Sequence, residues 1–423
     1  MLAVPASCKY LMACLAALAL LAPLDAMGAH FKILYSFTGG NDGSFPHAGL
    51  IKDAAGNFYG TTYDGGGDYC APFGCGAVFK LAPDGTETLL HSFAGGRDGD
   101  GPWGRLIKNK DGNLYGTTIT GGKAGCANSG GCGTVFKIAS DGKETVLHAF
   151  AGGSDGQFPY AGLVSDAKGN LYGTTEQGGT GFKDCTEGFG SGTIFKITPD
   201  GKEKVLHSFT GSPDGCLPDG PLIMDTAGNL YGTTSYGGQS ECPPYSCGTV
   251  FKFAPDGTET VLYSFNIAPD GEIPESRLIM DASGNLYGTT VYGGARGAGT
   301  VYRVAPDGTE KVLYSFCAKS DCADGFLPYA GLHRDEKGDL YGTTGYGGNT
   351  NCAEGNGCGL VFKLAPDGAE TVLHAFTGGS DGQFPVGDLI TDNAGRLYGT
   401  AGAGGVDCAE PDGRCGNVFS LDR

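Results

Sequence analysis

Residues 161–175 read AGLVSDAKGNLYGTT, and the return of this stretch along the chain decides the fold. Its first half, Gly162 to Asp166, predicts a short strand. Asp166-Ala167-Lys168-Gly169 carries turn chemistry, and Asn170 to Thr175, rich in β-formers, predicts a second strand. A glycine-rich loop runs on to Gly190, and SGTIFKIT (Ser191 to Thr198) predicts a third strand. In Pro199-Asp200-Gly201 the proline fixes φ and the glycine is free to take positive φ, so the chain turns tightly. EKVLHSF (Glu203 to Phe209) predicts a fourth strand, and a second long loop, GSPDGCLPDG (211–220), leads to the next copy. Working outward, Tyr-Gly-Thr begins at Tyr59, Tyr115, Tyr172, Tyr231, Tyr287, Tyr341 and Tyr398, at spacings of 56, 57, 59, 56, 54 and 57 residues. A fixed period of this size marks a stacked or radial repeat. No stretch after residue 28 sustains a helical period.

Four short antiparallel strands per repeat fit the blade of a β-propeller. With the strands named A to D, the tight A–B and C–D turns share one face of the disc. The long B–C and D–A loops share the other, which is where function is expected. The ends of the chain predict how the ring closes. FKILYSF (Phe31 to Phe37) matches the fourth strand, as in LLHSF (Leu89 to Phe93), whereas Asn417 to Leu421 matches the third, as in TVFKI (Thr134 to Ile138). The last unit thus lacks a fourth strand and the first segment supplies a spare one, so the N-terminal strand completes the last blade and covers two open edges. A linear solenoid would call for capping repeats instead. The expectation is an all-β, seven-bladed β-propeller over residues 29–423, built of seven ~57-residue repeats of four antiparallel strands.

The repeat, with its GNLYGTT, GTVFKI-x-PDG and TVLHSF segments, resembles the GloVer-type tandem repeats of exported bacterial "choice-of-anchor" proteins, and does so over residues 31–423. The resemblance implies an exported, surface or secreted protein and implies no reaction. Members often carry a C-terminal sorting segment. Leu421-Asp422-Arg423 brings no apolar tail, so an anchor is not expected. Residues 1–28 read as a secretory signal peptide, with Lys9 ahead of a short apolar run, Leu11 to Leu24, and small residues around Ala26-Met27-Gly28. Secretion, to the extracellular space or the periplasm, follows as an expectation, as does a monomer without membrane insertion once the signal is removed. With 46 acidic against 28 basic residues and a net charge of −18, nucleic acid and anionic membranes are disfavoured as partners.

Cys8 and Cys14 fall within the signal segment. Among the other cysteines, local pairs predict disulfides: Cys70/Cys75, Cys126/Cys132, Cys242/Cys247, Cys317/Cys322, Cys352/Cys358 and Cys408/Cys415. Cys185 and Cys216 remain, in two loops of the same face, and a bridge between them is geometrically plausible. Zinc is not favoured, because second ligand pairs and histidine spacings are missing.

Positions that repeat in every unit read as structural. An Asp at the A–B turn (Asp53, Asp166, Asp225, Asp281, Asp335 and Asp392, with Asn109 in the remaining unit) predicts turn capping. A second Asp, in the D–A loop, recurs seven times (Asp42, Asp98, Asp155, Asp214, Asp270, Asp324, Asp381). It reads as a turn residue; a calcium role is the alternative, and no other cofactor is expected. His91, His148, His207 and His374 occupy a strand-D register where other copies carry Tyr35, Tyr263 and Tyr314, which points to packing or a hydrogen bond rather than metal catalysis.

The positions after the recurring D–A loop proline behave differently. One residue on stand His47, Trp103, Tyr160, Asp219, Glu275, Tyr329 and Val386; three residues on stand Gly49, Arg105, Gly162, Pro221, Arg277, Gly331 and Asp388. They sit at the entrance to strand A, the innermost strand of a propeller, and so are expected to rim the central funnel. Aromatic faces beside Arg, Asp and Glu are what a polar ligand such as a sugar requires. The candidate ligand-binding residues are therefore His47, Trp103, Arg105, Tyr160, Asp219, Glu275, Arg277, Tyr329 and Asp388. The expected function is a disulfide-braced binding module for a polar ligand, a glycan or cell-surface polymer. The alternative is a carbohydrate-active hydrolase, lyase or lactonase, with Asp219, Glu275 or Asp388 as acid/base groups and Arg105 or Arg277 stabilising charge. A purely structural surface protein would have a filled, featureless funnel.

Overall fold

The computed structural model describes residues 30–423 except 68, 69, 71, 124, 125, 127–129, 182–187, 239–246, 349–351, 353, 354, 407 and 409–412. Seven four-stranded antiparallel sheets form the blades of a β-propeller. Blade 1 comprises strand A Ile51–Lys52, strand B Phe58–Thr62, strand C Ala77–Leu81 and strand D Glu87–Ser92. Blade 7 comprises Ile390–Thr391, Leu397–Ala401 and Asn417–Leu421, and its fourth strand is the N-terminal segment Phe31–Ser36. That segment pairs antiparallel with the last strand, Phe31 opposite Leu421 and Ser36 opposite Asn417, so the ring closes as the repeat offset requires.

Strand A is shorter than its sequence suggests. In blade 3 it is only Val164–Ser165, because the residues before it bend toward the axis. There Gly162 lies against its neighbour: a Cβ on it would come 2.6 Å from the Arg105 carbonyl oxygen of blade 2. The leucine assigned to strand A (Leu163 here) stands just before the paired residues and is buried.

The hydrophobic core lies between blades rather than within one. The phenylalanine closing each strand D meets a strand-C ring of the next blade edge to face, as in Phe93 with Phe136 at 5.1 Å and Phe209 with Phe251 at 5.2 Å. The series passes through the closure without a break: Phe376 meets Phe419, and Phe37 meets Phe79 at 5.0 Å.

Tyr-Gly-Thr has a separate task for each residue. The tyrosine hydroxyl donates to the A–B turn aspartate (Tyr59 to Asp53, 2.9 Å), whose other oxygen accepts the Ala55 and Asn57 backbone N–H groups. The glycine lies under the strand-C ring, where a Cβ at Gly173 would be 2.6 Å from Phe195 Cζ. In blades 2, 5 and 7 the first threonine reaches the next blade, as Thr117 Oγ1 donates to the Ala161 carbonyl at 2.9 Å.

Cys70–Cys75, Cys126–Cys132, Cys317–Cys322, Cys352–Cys358 and Cys408–Cys415 are disulfides. Cys216 and Cys247 are also disulfide-bonded, while their expected partners, Cys185 and Cys242, lie outside the described residues. Residues 1–28 lie outside them as well. Among the described residues no helix is long and apolar enough to cross a membrane.

The central funnel as candidate functional site

The funnel rim is held by a device that recurs in every blade. The residue before the D–A loop proline takes a left-handed backbone conformation: Phe45, Phe158, Leu217, Ile273, Leu327 and Phe384 have φ between 54° and 60°, and Gly101 replaces them in blade 2 with φ 67°. Such values are strained for large side chains and persist where surroundings fix them. Here both backbone groups are fixed. The N–H of Phe158 donates to Cys132 O of the preceding blade, and its carbonyl accepts the N–H of Glu176 in its own blade. A short antiparallel bridge between the D–A loop and the segment after strand B, such as Gln157 with Gln177, anchors the same place. The side chain one residue beyond the proline is thereby aimed at the axis.

All nine sequence-predicted residues line one cavity of about 90 Å³ on the axis. The residues one beyond the proline form its wall. His47 packs on Trp103 with ring centroids 3.5 Å apart, Trp103 meets Tyr160 edge on at 6.0 Å, and Tyr63 meets Trp103 edge on at 5.1 Å. Phe45 continues this cluster to Phe384, which contacts Tyr329 at 5.9 Å. An aromatic arc thus runs through blades 6, 7, 1, 2 and 3. Burial lowers His47 to about 3, so its imidazole is neutral.

The rest of the wall is acidic. Asp219 and Glu275 come from blades 4 and 5; Glu176, which follows strand B of blade 3, is not among the lining residues but lies close enough for both charges to act on it. Burial pushes all three carboxyls well above the usual carboxylate range, and Asp219 raises Glu176 and Glu275 further. Ser235 donates to one Asp219 oxygen at 2.6 Å; the other oxygen is buried without a hydrogen-bond partner.

Arg105, Arg277 and Asp388 form the waist. Arg105 and Arg277 also line the cavity of about 560 Å³ on the tight-turn side, so they stand between the two halves of the channel. Arg105 Nε donates to the Leu50 carbonyl at 3.1 Å, and burial lowers its pKa while the Asp388 charge opposes that shift. Asp388 Oδ1 accepts the Gly331 N–H at 2.7 Å. Glycine alternates with these side chains for want of space: a Cβ on Gly49 would lie 2.8 Å from Asp388 Cβ, and one on Gly331 would lie 2.9 Å from Asp388 Oδ1.

Sequence reasoning did not single out Glu176, Tyr63, Phe45 or Phe384. Glu176 and Tyr63 share the register after Tyr-Gly-Thr-Thr (Tyr63, Ile119, Glu176, Ser235, Val291, Gly345, Gly402), as variable between blades as the rim itself. That variability was the available signal. The seven D–A loop aspartates lie away from the funnel, each beside a strand-D Tyr or His: Tyr263 donates to Asp270 at 2.7 Å, and His148 Nε2 lies 3.1 Å from Asp155 Oδ1. They also accept loop N–H groups, as Asp155 does from Ala151 at 2.7 Å.

Several solved structures align with the chain. A candidate 6-phosphogluconolactonase from Bacteroides uniformis does so with a TM-score of 0.49 and 17% identity, over 79% of this chain and 87% of that one. A gluconolactonase from Xanthomonas campestris gives 0.43 and 16%, over 93% and 89%. A luciferin-regenerating enzyme gives 0.43 and 13%, over 94% and 96%. A comparison with curated proteins returned no match. The family model of the Gloeobacter/Verrucomicrobia repeat matches residues 21–243 and again 187–409, and with nearly the whole chain so covered the protein belongs to that repeat family.

Proposed function

We propose that this propeller is an exported binding module whose central funnel takes a small polar ligand, the end of a glycan or of a cell-surface polymer. The observation that carries this reading is the meeting of aromatic faces with buried charged groups in one cavity. Aromatic rings offer the apolar face of a sugar a stacking surface, and Arg and carboxyl groups fix its hydroxyls. The cavity, at about 90 Å³, is smaller than most ligand pockets and suits a chain end rather than a polymer lying across the disc. Trp103 is the single tryptophan and lines the site, so its fluorescence reports on occupancy. Glycan-array binding and Trp103 quenching are expected for the intact protein. The double variant Trp103→Ala, Tyr160→Ala is expected to lose at least ~10-fold in affinity, about 1.4 kcal/mol. Unchanged array binding by that variant would remove the funnel from consideration.

One observation favours a second reading, a carbohydrate-active hydrolase, lyase or lactonase. Asp219, Glu275 and Arg277 line the same cavity, and the raised carboxyls hold protons near neutral pH, as a general acid must. Product release from glycoside or sugar-lactone panels, abolished in Asp219→Asn, would establish it; inactivity across those panels leaves the binding module.

A further inference from the structure

The two arcs of the funnel differ in what they lack. The aromatic rings contact one another. Among the described residues no cation shifts the acidic arc: Asp219 is raised by burial, Glu176 and Glu275 by burial and then by Asp219, and the one hydrogen bond that favours ionised Asp219 comes from a neutral serine. The arginines are held at the waist, Arg105 on the Leu50 carbonyl and beside Asp388.

We propose that the funnel selects a ring ligand bearing a protonated amine, of the amino-sugar class, with its ammonium at Asp219 and Glu275 and its ring against Trp103 and Tyr160. This rests on the reading of the funnel as a binding site. An ammonium offers a donor to Asp219 Oδ1, which is buried without a hydrogen-bond partner, and others to Glu275 beside it, and aromatic faces attract it as well. A uronic acid would meet repulsion on that arc. A neutral sugar would leave the carboxyls without counter-charge. A metal ion fits less well on geometry, because it draws its oxygens to about 2.0–2.6 Å. Among the described residues, oxygens of Glu176, Asp219 and Glu275 do not gather within 4.8 Å of one another, whereas ligand atoms of His148, Asp155 and Glu203 do. Carboxyls that hold protons in the free protein release them when an ammonium arrives. The other ionisable groups facing them are Tyr160, Tyr329 and the neutral His47 on the wall and Arg105, Arg277 and Asp388 at the waist.

The test uses the full mature chain at neutral pH, with Trp103 fluorescence and titration calorimetry in two buffers of different ionisation enthalpy. The probes are glucosamine and its trisaccharide, N-acetylglucosamine, glucose, glucuronate and calcium chloride. Glucosamine is expected to bind at least ~10-fold more tightly than glucose or N-acetylglucosamine, with a buffer-dependent heat that reports proton release. Glu275→Gln, checked for an unchanged melting curve, is expected to lose that preference, glucosamine then binding no more tightly than glucose. Equal affinity for glucosamine and glucose, or preference for glucuronate, overturns the amine inference and leaves the binding site standing. Calcium alone producing the heat and displacing glucosamine overturns it in favour of a metal. No response to any probe overturns the binding site itself.

Discussion

At the residue scale, repetition inside one chain separates structural positions from functional ones. Tyr and Gly recur because the turn aspartate and the strand-C ring call for them, and the exceptions are informative. Six blades place phenylalanine over the glycine of Tyr-Gly-Thr, but blade 5 places Tyr302 there, fully buried, with a hydroxyl that has no hydrogen-bond partner. Gly288 faces that hydroxyl at 2.5 Å from where a Cβ would stand. Desolvating an unpaired hydroxyl costs about 1–3 kcal/mol, so Tyr302→Phe is expected to stabilise the protein by an amount in that range. Urea unfolding followed by circular dichroism checks this, and a lower midpoint for the variant would mean that the hydroxyl has a partner. The funnel residues were legible by the opposite criterion: after the D–A loop proline the copies disagree, as Trp103, Asp219 and Val386 do. Glu176 is less legible because no proline marks its register, although Ile119, Ser235 and Gly402 there disagree just as much.

At the element scale, the outer edge of each blade interface holds a pair of acids that no local motif announces. Strand D opens with Glu87, Glu144, Glu203, Glu259, Glu310 and Glu370 in six blades, and in each one carboxylate oxygen is buried without a partner. Each faces the D–A loop aspartate of the preceding blade, and burial raises its pKa with that aspartate adding to the rise in most of them. In the seventh interface Phe31 takes the glutamate's place and stacks on His374 at 3.8 Å. The sequence showed the aspartates as turn residues, but their glutamate partners sit a whole repeat away and meet them only once the blades are side by side. The pH consequence has a definite sign. Glu87 and Glu310 are raised to about 7, above their ordinary 4.5, so the folded state holds protons that the unfolded chain has lost. Their stabilising contribution is full below about 4.5 and disappears as pH rises through about 7. The A–B turn aspartates act oppositely: although burial opposes it, hydrogen bonds lower Asp166, Asp225 and Asp281, so their contribution is lost as pH falls below 3.8. The melting temperature is therefore expected to peak in mildly acidic solution and to decline between about pH 6 and 8. Glu87→Gln with Glu310→Gln is expected to flatten that decline. A melting temperature that stays level from pH 5 to 8 in the parent protein would show that these carboxyls ionise freely.

At the scale of the whole molecule, seven blades are one cooperative object only if the ends of the chain meet. That was the most legible feature of the sequence, because a spare strand at one end and a missing one at the other leave a ring as the economical solution. The waist of the channel was not legible in the same way: Arg105, Arg277 and Asp388 meet across the axis, and the glycines that make room for them have meaning only in the closed ring. Phe31, Ile33, Leu34 and Phe37 pack into the cores on both sides of blade 7. Phe37 is fully buried and the other three partly so; at about 1.5–3 kcal/mol for full burial of a large apolar side chain and less for the rest, together they are a sizeable share of the ~5–15 kcal/mol that separates a folded domain from its unfolded chain. Removing residues 30–37 also strips the hydrogen-bond partner from Asn417–Leu421 and leaves an open edge, which invites association with a second chain. The truncated protein is expected to melt well below the intact one and to elute as oligomers in size-exclusion chromatography. Phe45 and His47 follow directly on the missing strand, so the Trp103 emission against which His47 packs is expected to shift as well. A synthetic peptide of residues 30–37 added in trans is expected to restore the monomer, the melting temperature and the emission together. If instead the truncated chain stays monomeric and melts with the intact protein, the N-terminal strand does not hold the ring shut, and the arrangement of the funnel has to be sought in the inter-blade hydrogen bonds alone.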